Sequence, residues 1–246
     1  MTGTSVVALK YKDGIMMAAD TLGIASLLLR SSFGLSNNIN SLILLFLFTG
    51  SYGTLARFFN VERIKVFGSV LVGGSGDLSD LQYVFDELSS LRTREFTHDD
   101  GHELNAKEIW AYLTRMLYAR RSDGDPIYVQ LIVADLAKGS APFLAQVDLH
   151  GTCFEDDTLA TGFGAHLARP LLRNAVDSAG WQAVSREEAR KVLENCMRVL
   201  FYRDCKTINR IQFADVTAEG LKLEKPVELS TNWEVGNRPM DAQGSW

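Results

Sequence analysis

The chain has 246 residues, of which 46% are apolar and 22% charged. This composition suits one large globular domain with a substantial core, or two small domains. The formal net charge of -5 gives no electrostatic reason to expect nucleic acid or an anionic membrane as a partner. The three cysteines, Cys153, Cys196 and Cys205, include no CxxC pair. Their odd number argues against a disulfide framework or a zinc site, so we expect a reducing compartment and neither a metal nor a cofactor.

The first part of the chain has the pattern of a β-hairpin. Two apolar runs, at 6–11 and 15–19, are separated by Lys12-Asp13-Gly14, and an Asp-Gly turn between apolar runs is typical of a hairpin. A second strand pair is predicted over 66–73, and it should end in the glycine-rich stretch 73–76.

Two helices are predicted next. Ser79 and Gln82 have the spacing of a capping box for the first helix, and Asn105 is the expected N-cap of the second. The apolar residues of both recur at helical spacing: Leu78, Leu81, Phe85, Leu88 and Leu91 in the first, and Ala106, Ile109, Trp110, Leu113 and Leu117 in the second.

Strands return over 127–134, 143–149 and near 158–161, and another pair of helices follows them. Pro170 should disturb the start of the helix predicted over 165–177. Ser185, with Glu188 three residues later, is expected to cap the next helix. Strands over 208–216 and 221–227 complete the pattern.

The order of these elements predicts the fold class. Strand blocks alternate with helix pairs, without the strand-helix-strand alternation of a doubly wound parallel sheet. We therefore predict an α+β fold, a four-layer αββα sandwich in which two sheets pack face to face with a helix layer outside each. Residues 1–229 would form this single domain, and residues 230–246 a tail. The tail is either a disordered terminus or a docking arm, because it contains Trp233 and Trp246.

Five ordered blocks resemble the β-type subunits of the eukaryotic 20S proteasome. They read TSVVALKYKDGIMMAAD, SYGTLARFFNVERI, GGSGDLSD, TLATGFGAHLARPLLR and MRVLFYRD. The combination of TGTSV, VERI, ATGFGAH and NWEV is similar to the non-catalytic branch called β7 in yeast and β type-4 in mammals. The fold that this resemblance implies is the sandwich of the N-terminal nucleophile hydrolases, which agrees with the element order.

The resemblance also implies what an active site would need. Active β-type subunits cleave their own chain before a threonine, whose hydroxyl attacks a peptide carbonyl while the freed α-amine serves as the base. The pKa of an α-amine, about 7.7–8.0, suits this role. A lysine held by an aspartate favours the deprotonated threonine, and a glycine amide stabilises the oxyanion.

The resemblance assigns these roles to particular residues. Thr4 stands at the nucleophile position after Gly3, Asp20 and Asp204 at the two aspartate positions, and Gly76 at the oxyanion position. Three residues depart from the pattern. Arg63 replaces the lysine, Phe163 replaces a serine that supports the amine, and Thr207 replaces a second serine. Arginine keeps the charge but cannot relay a proton, because its pKa is above about 12. We therefore expect Thr4, Asp20, Arg63, Gly76, Phe163 and Asp204 to form an inactive, vestigial site.

The function implied by the resemblance is that of a non-catalytic structural subunit. It would complete stacked seven-membered α and β rings that degrade proteins in the ATP- and ubiquitin-dependent pathway of the cytoplasm and nucleus. Its tail would reach the opposite β ring, with Trp233 and Val235 as anchors. Two alternatives remain open at this stage. The chain could be an active threonine endopeptidase with Thr4 as nucleophile, or an unrelated N-terminal nucleophile amidase that acts alone.

One segment, residues 24–50, interrupts the resemblance. It includes seven consecutive large apolar residues, at 42–48, and leaving such side chains exposed costs about 1.5–3 kcal/mol for each. The run is too short to span a membrane, which takes about 20 apolar residues. Because its leucine, phenylalanine and serine codons are often pyrimidine-rich, our hypothesis is that residues 24–50 are an unspliced intron.

Overall fold

The computed structural model describes residues 5–23, 58–98, 101, 103–136, 141–177 and 180–233. Three of the sequence predictions concern residues outside these ranges: the nucleophile position Thr4, the tail anchor Val235 and the segment 24–50.

The strands form two antiparallel sheets. The first has the order β10-β9-β2-β1-β8, with β11 also paired to β9, and the second has the order β3-β4-β5-β6-β7. The strands are β1 (Val6–Tyr11), β2 (Gly14–Asp20), β3 (Ile64–Phe67), β4 (Val70–Gly76), β5 (Val129–Asp135), β6 (Phe143–Val147), β7 (Cys153–Glu155), β8 (Thr158–Ala160), β9 (Arg210–Thr217), β10 (Gly220–Leu223) and β11 (Val227–Glu228).

The helices come in two groups along the chain. The first pair is α1 (Leu78–His98) and α2 (Ala106–Ser122), and the second group is α3 (Gly164–Leu167), α4 (Arg169–Val176) and α5 (Arg186–Arg203), with a 3-10 turn at Trp181–Ala183 before α5. Pro170 lies in the first turn of α4, where its missing N–H costs no helical hydrogen bond. The helix predicted over 165–177 is therefore divided into α3 and α4. No helix within the described ranges has both the length and the apolar composition that crossing a membrane requires.

Three separate clusters of buried side chains give the described part of the chain four layers. Residues of both sheets form the central cluster, and each sheet forms another cluster with the helices on its outer face. Examples are Val6, Met17, Leu71 and Leu144 in the centre, Leu9, Leu193 and Leu200 between the first sheet and α5, and Val72, Leu81 and Leu113 between the second sheet and its helices. The predicted αββα sandwich is therefore confirmed.

Side-chain caps fix two of the helix starts as the sequence predicted. The Asn105 side chain accepts the Glu108 amide at 3.1 Å, and the Ser185 hydroxyl accepts the Glu188 amide at 3.3 Å. The capping box predicted for Ser79 and Gln82 is wrong. The carboxylate of Asp77 takes that place and accepts the amide of Ser79 at 2.9 Å, because α1 already begins at Leu78.

The strand pair predicted over 66–73 extends further than expected, through the whole glycine-rich stretch 73–76. Strand β4 continues to Gly76, paired with β5. A Cβ atom on Gly73 would lie 2.4 Å from the sulfur of Met17 in the opposite sheet. Glycine is favoured at position 73 because the two sheets approach closely there. This reason lies in the tertiary packing and not in the local sequence.

Candidate functional site

The predicted aspartate and arginine positions form a buried ion pair. Asp20 is the last residue of β2, and Arg63 directly precedes β3. Arg63 Nε lies 3.6 Å from Asp20 Oδ1, and the two side chains are 2% and 0% exposed. Arg63 Nη2 also donates a hydrogen bond to the carbonyl of Leu22. The guanidinium is therefore held from two directions by the end of β2 and the residues after it.

Burial changes the titration of this arginine without neutralising it. Desolvation lowers the pKa of Arg63 from its ordinary value, and the charge of Asp20 opposes that shift. A guanidinium is not deprotonated in proteins, so Arg63 keeps its charge beside the carboxylate of Asp20. The position thus provides a fixed positive charge and no proton that could be transferred.

The start of β1 is fastened to the turn between β8 and α3. The amide of Val6 donates to Thr161 Oγ1 at 3.0 Å, and the amide of Thr161 donates to the carbonyl of Val6 at 2.9 Å. The Ser5 hydroxyl accepts the amide of Gly164 at 2.8 Å. The chain directly after the nucleophile position is therefore tied to the segment that contains Phe163.

Gly76 and Phe163 line one cavity of about 310 Å³. Gly76 has φ +120, and a Cβ atom there would lie 2.2 Å from the carbonyl oxygen of Tyr128. Only glycine fits this position. Phe163 is 54% exposed, so its ring forms part of the cavity wall where the resemblance places a hydroxyl group.

Asp204 lies in a local cluster after α5. Its carboxylate accepts the amide of Lys206 at 3.0 Å and the hydroxyl of Thr207 at 3.2 Å. Thr207 thus supplies a hydroxyl to this cluster at the position where the resemblance expects a serine. The loop continues into β9, where the carbonyl of Arg210 accepts the amide of Thr21 at 3.2 Å, one residue beyond Asp20.

The structure thus brings the predicted residues together in pairs: Asp20 with Arg63, Gly76 with Phe163, and Asp204 with Thr207. Sequence reasoning missed three supporting side chains, Ser5, Thr161 and Gln130, whose Oε1 accepts the amide of Gly162 at 2.8 Å. Their partners are 159, 155 and 32 positions away. No periodic pattern or motif indicates contacts of that kind.

The predicted tail anchor Trp233 packs against α5 of its own chain. Its ring lies 5.0 Å from that of Tyr202 and 5.7 Å from that of Phe201, and it remains 49% exposed. In the part of the chain that the structure describes, no group of three or more His, Cys, Asp or Glu residues is arranged to hold a metal ion.

Comparison with known proteins identifies the family. The family model described as "Proteasome subunit" matches residues 59–216. The chain is 41% identical over 251 residues to "Proteasome subunit beta type-4" of Arabidopsis thaliana, an alignment that covers 100% of this chain and 89% of the relative. It is 40% identical over 240 residues to "Probable proteasome subunit beta type-7" of Schizosaccharomyces pombe, covering 97% and 81%. It is 35% identical over 243 residues to "Proteasome subunit beta type-7" of Saccharomyces cerevisiae, covering 95% and 81%. The chain therefore belongs to the proteasome subunit family, as one of its β-type members.

Proposed function

We propose that this chain is a non-catalytic structural subunit of the 20S proteasome core particle. The observation that carries this proposal is the buried Arg63, which is tied to Asp20 and to the carbonyl of Leu22. A threonine nucleophile needs a neighbouring group that can share or favour the transfer of a proton. A guanidinium held in this way supplies charge alone.

The ring of Phe163 adds a second obstacle to catalysis. It lies at the cavity wall beside Gly76 and cannot hydrogen-bond to an α-amine. When catalytic groups act as a unit, loss of one central member removes most of the activity. Thr4, Asp20, Gly76 and Asp204 are therefore assigned to a vestigial site, and their remaining role is structural.

The partners follow from the same assignment. We assign the chain to a seven-membered β ring that is stacked on a second β ring and on an α ring. Residues 230–246 would form an arm that contacts the opposite β ring. The particle would act in ATP- and ubiquitin-dependent proteolysis in the cytoplasm and the nucleus.

Replacement of Thr4, at the nucleophile position, tests the catalytic part of this proposal. Thr4→Ala in the assembled particle should leave every peptidase activity at the wild-type level, measured with three fluorogenic substrates of acidic, basic and apolar specificity. Particles with Thr4→Ser serve as the matched control, because they keep the hydroxyl. Loss of one activity in Thr4→Ala particles of normal composition would instead favour an active threonine endopeptidase.

We also propose that residues 1–229 are one domain that does not need the segment 24–50. The residues on either side of this segment pair with each other. The amide of Gly23 donates to the carbonyl of Phe58 at 2.9 Å, and the amide of Val61 donates to the carbonyl of Thr21 at 2.9 Å. Without 24–50, the seven residues 51–57 still connect Gly23 to Phe58, which is a short connection, well below the roughly 12–15 residues beyond which loops become uncommon.

Peptide mass spectrometry of native particles tests this second proposal. If 24–50 is absent, trypsin should release one peptide that runs from Asp13 through Gly23 directly to Ser51 and ends at Arg57. If the segment is retained, peptides 13–30 and 31–57 should appear in its place. Abundant peptide 31–57 would contradict the proposal.

A further inference from the structure

The last described residues of the chain follow one face of α5. Leu229 is buried, and its amide donates to the carbonyl of Asn209 at 2.8 Å. The carbonyl of Ser230 accepts Arg198 Nε at 3.4 Å. The amide of Asn232 then donates to the hydroxyl oxygen of Tyr202 at 2.7 Å. Residues 229–232 are thus bound at three successive points.

Three aromatic rings complete this attachment. Trp233 meets Tyr202 at 5.0 Å and 84°, and Phe201 at 5.7 Å and 73°. Both are edge-to-face arrangements, which aromatic pairs prefer. The rings of Phe201 and Tyr202 lie 5.8 Å apart. We call Phe201, Tyr202 and Trp233 the aromatic clamp.

The clamp occupies a face of α5 that the core does not use. The core face of this helix consists of Ala189, Leu193, Cys196, Met197 and Leu200. Arg198, Phe201 and Tyr202 form a second stripe at helical spacing, and all three are only partly buried. Ser230, Asn232 and Trp233 contact this stripe. Two successive aromatic residues at the end of a helix thus bind Asn232 and Trp233.

We propose that the aromatic clamp is the anchor of the C-terminal arm. It fixes the point from which residues 234–246 leave the domain, and this inference rests on the proposed role of those residues as an arm between rings. A fixed origin raises the effective concentration of the arm at its partner site. It also means that residues 229–233 are already ordered before two half-particles meet, so that association loses less conformational entropy.

The test compares the clamp with the arm that it would hold. The variants are expressed in cells that contain no other copy of this subunit. The first variant lacks residues 234–246 and keeps Trp233. The second variant carries Tyr202→Ala in the full-length chain. Each should slow the joining of half-particles by about tenfold, measured as the ratio of half-particles to full particles on native gels after a pulse label. Arg203→Ala, an exposed neighbour on α5, is the control and should behave like wild type.

The double variant separates a true anchor from a general folding defect. If the clamp acts through the arm, Tyr202→Ala should cause no further loss in the chain that already lacks 234–246. Additive defects would overturn the clamp as an anchor. A defect on truncation with none for Tyr202→Ala would also overturn it, while the arm itself would stand. A harmless truncation would instead refute the arm, and with it the anchor.

Discussion

Replacement of Arg63 by methionine should strongly destabilise the folded chain. Methionine keeps most of the apolar stem but removes the charge that lies 3.6 Å from Asp20 Oδ1. Both side chains are buried, so water cannot replace the lost cation. Breaking a buried ion pair by removal of one member costs about 3–5 kcal/mol.

The size of this effect makes it easy to measure. The total stability of a domain is about 5–15 kcal/mol, so the variant would lose a large share of it. For chains of this length, each kcal/mol shifts the melting temperature by about 2–4 °C. The expected decrease is therefore about 6–20 °C, measured by circular dichroism on the recombinant chain, together with reduced recovery in full particles.

A double-mutant cycle shows whether the loss comes from the pair. Asp20→Asn and Arg63→Met are measured singly and together. If the ion pair is the cause, the double variant should be more stable than the sum of the single effects predicts, by about 0.5–3 kcal/mol. An unchanged melting temperature for Arg63→Met, or strictly additive effects, would refute the reasoning.

Three further predictions concern other parts of the domain. Gly76→Ala should cost about 2 kcal/mol or more in a urea titration, because its Cβ would lie 2.2 Å from the Tyr128 carbonyl oxygen. Ser185→Ala should cost about 1 kcal/mol through loss of the N-cap. Hydrogen bonds from Ser185 lower the pKa of Glu188, so the part of the capping box that the Glu188 carboxylate contributes should be lost as the pH falls through that lowered pKa, while the N-cap bond from the Glu188 amide to Ser185 should not depend on pH. Burial raises the pKa of Cys196 to about 12, so iodoacetamide should not modify this thiol in native particles and should modify it once urea is added. Peptide mass spectrometry measures the extent of modification.

The sequence predicts the fold well where local chemistry decides the structure. The Asp-Gly turn between β1 and β2 and the caps Asn105 and Ser185 are local signals, and all three are confirmed. The continuation of β4 from Gly74 to Gly76 was not predicted, and the sequence could not show why residue 73 is glycine, because that depends on the approach of Met17 from the other sheet. The short strands β7 and β11 were missed because their residues are mostly exposed and have no apolar alternation.

The candidate site was predictable only in part. The resemblance correctly indicated that Asp20 and Arg63 would lie together. It could not indicate that Ser5 binds the amide of Gly164, since that contact depends on how the first sheet meets α3. Trp233 was predicted as an anchor for a partner, and its own helix α5 already occupies part of its surface. The sequence pattern indicates that an aromatic residue such as Trp233 will pack against a surface, but it does not identify that surface.

The geometry of Arg63 gives this residue a structural role that does not depend on proton transfer. A lysine ammonium is a compact point charge, whereas the planar guanidinium presents five donors in fixed directions. Arg63 uses that shape to face the carboxylate of Asp20 and to bond the carbonyl of Leu22. Leu22 is adjacent to Gly23, which is bridged to Phe58. The guanidinium of Arg63 therefore cross-links the end of β2 to the chain that enters β3. Arg63→Lys should therefore lower the melting temperature, because an ammonium would weaken this cross-link. It should restore no peptidase activity, because Phe163 still lines the cavity beside Gly76.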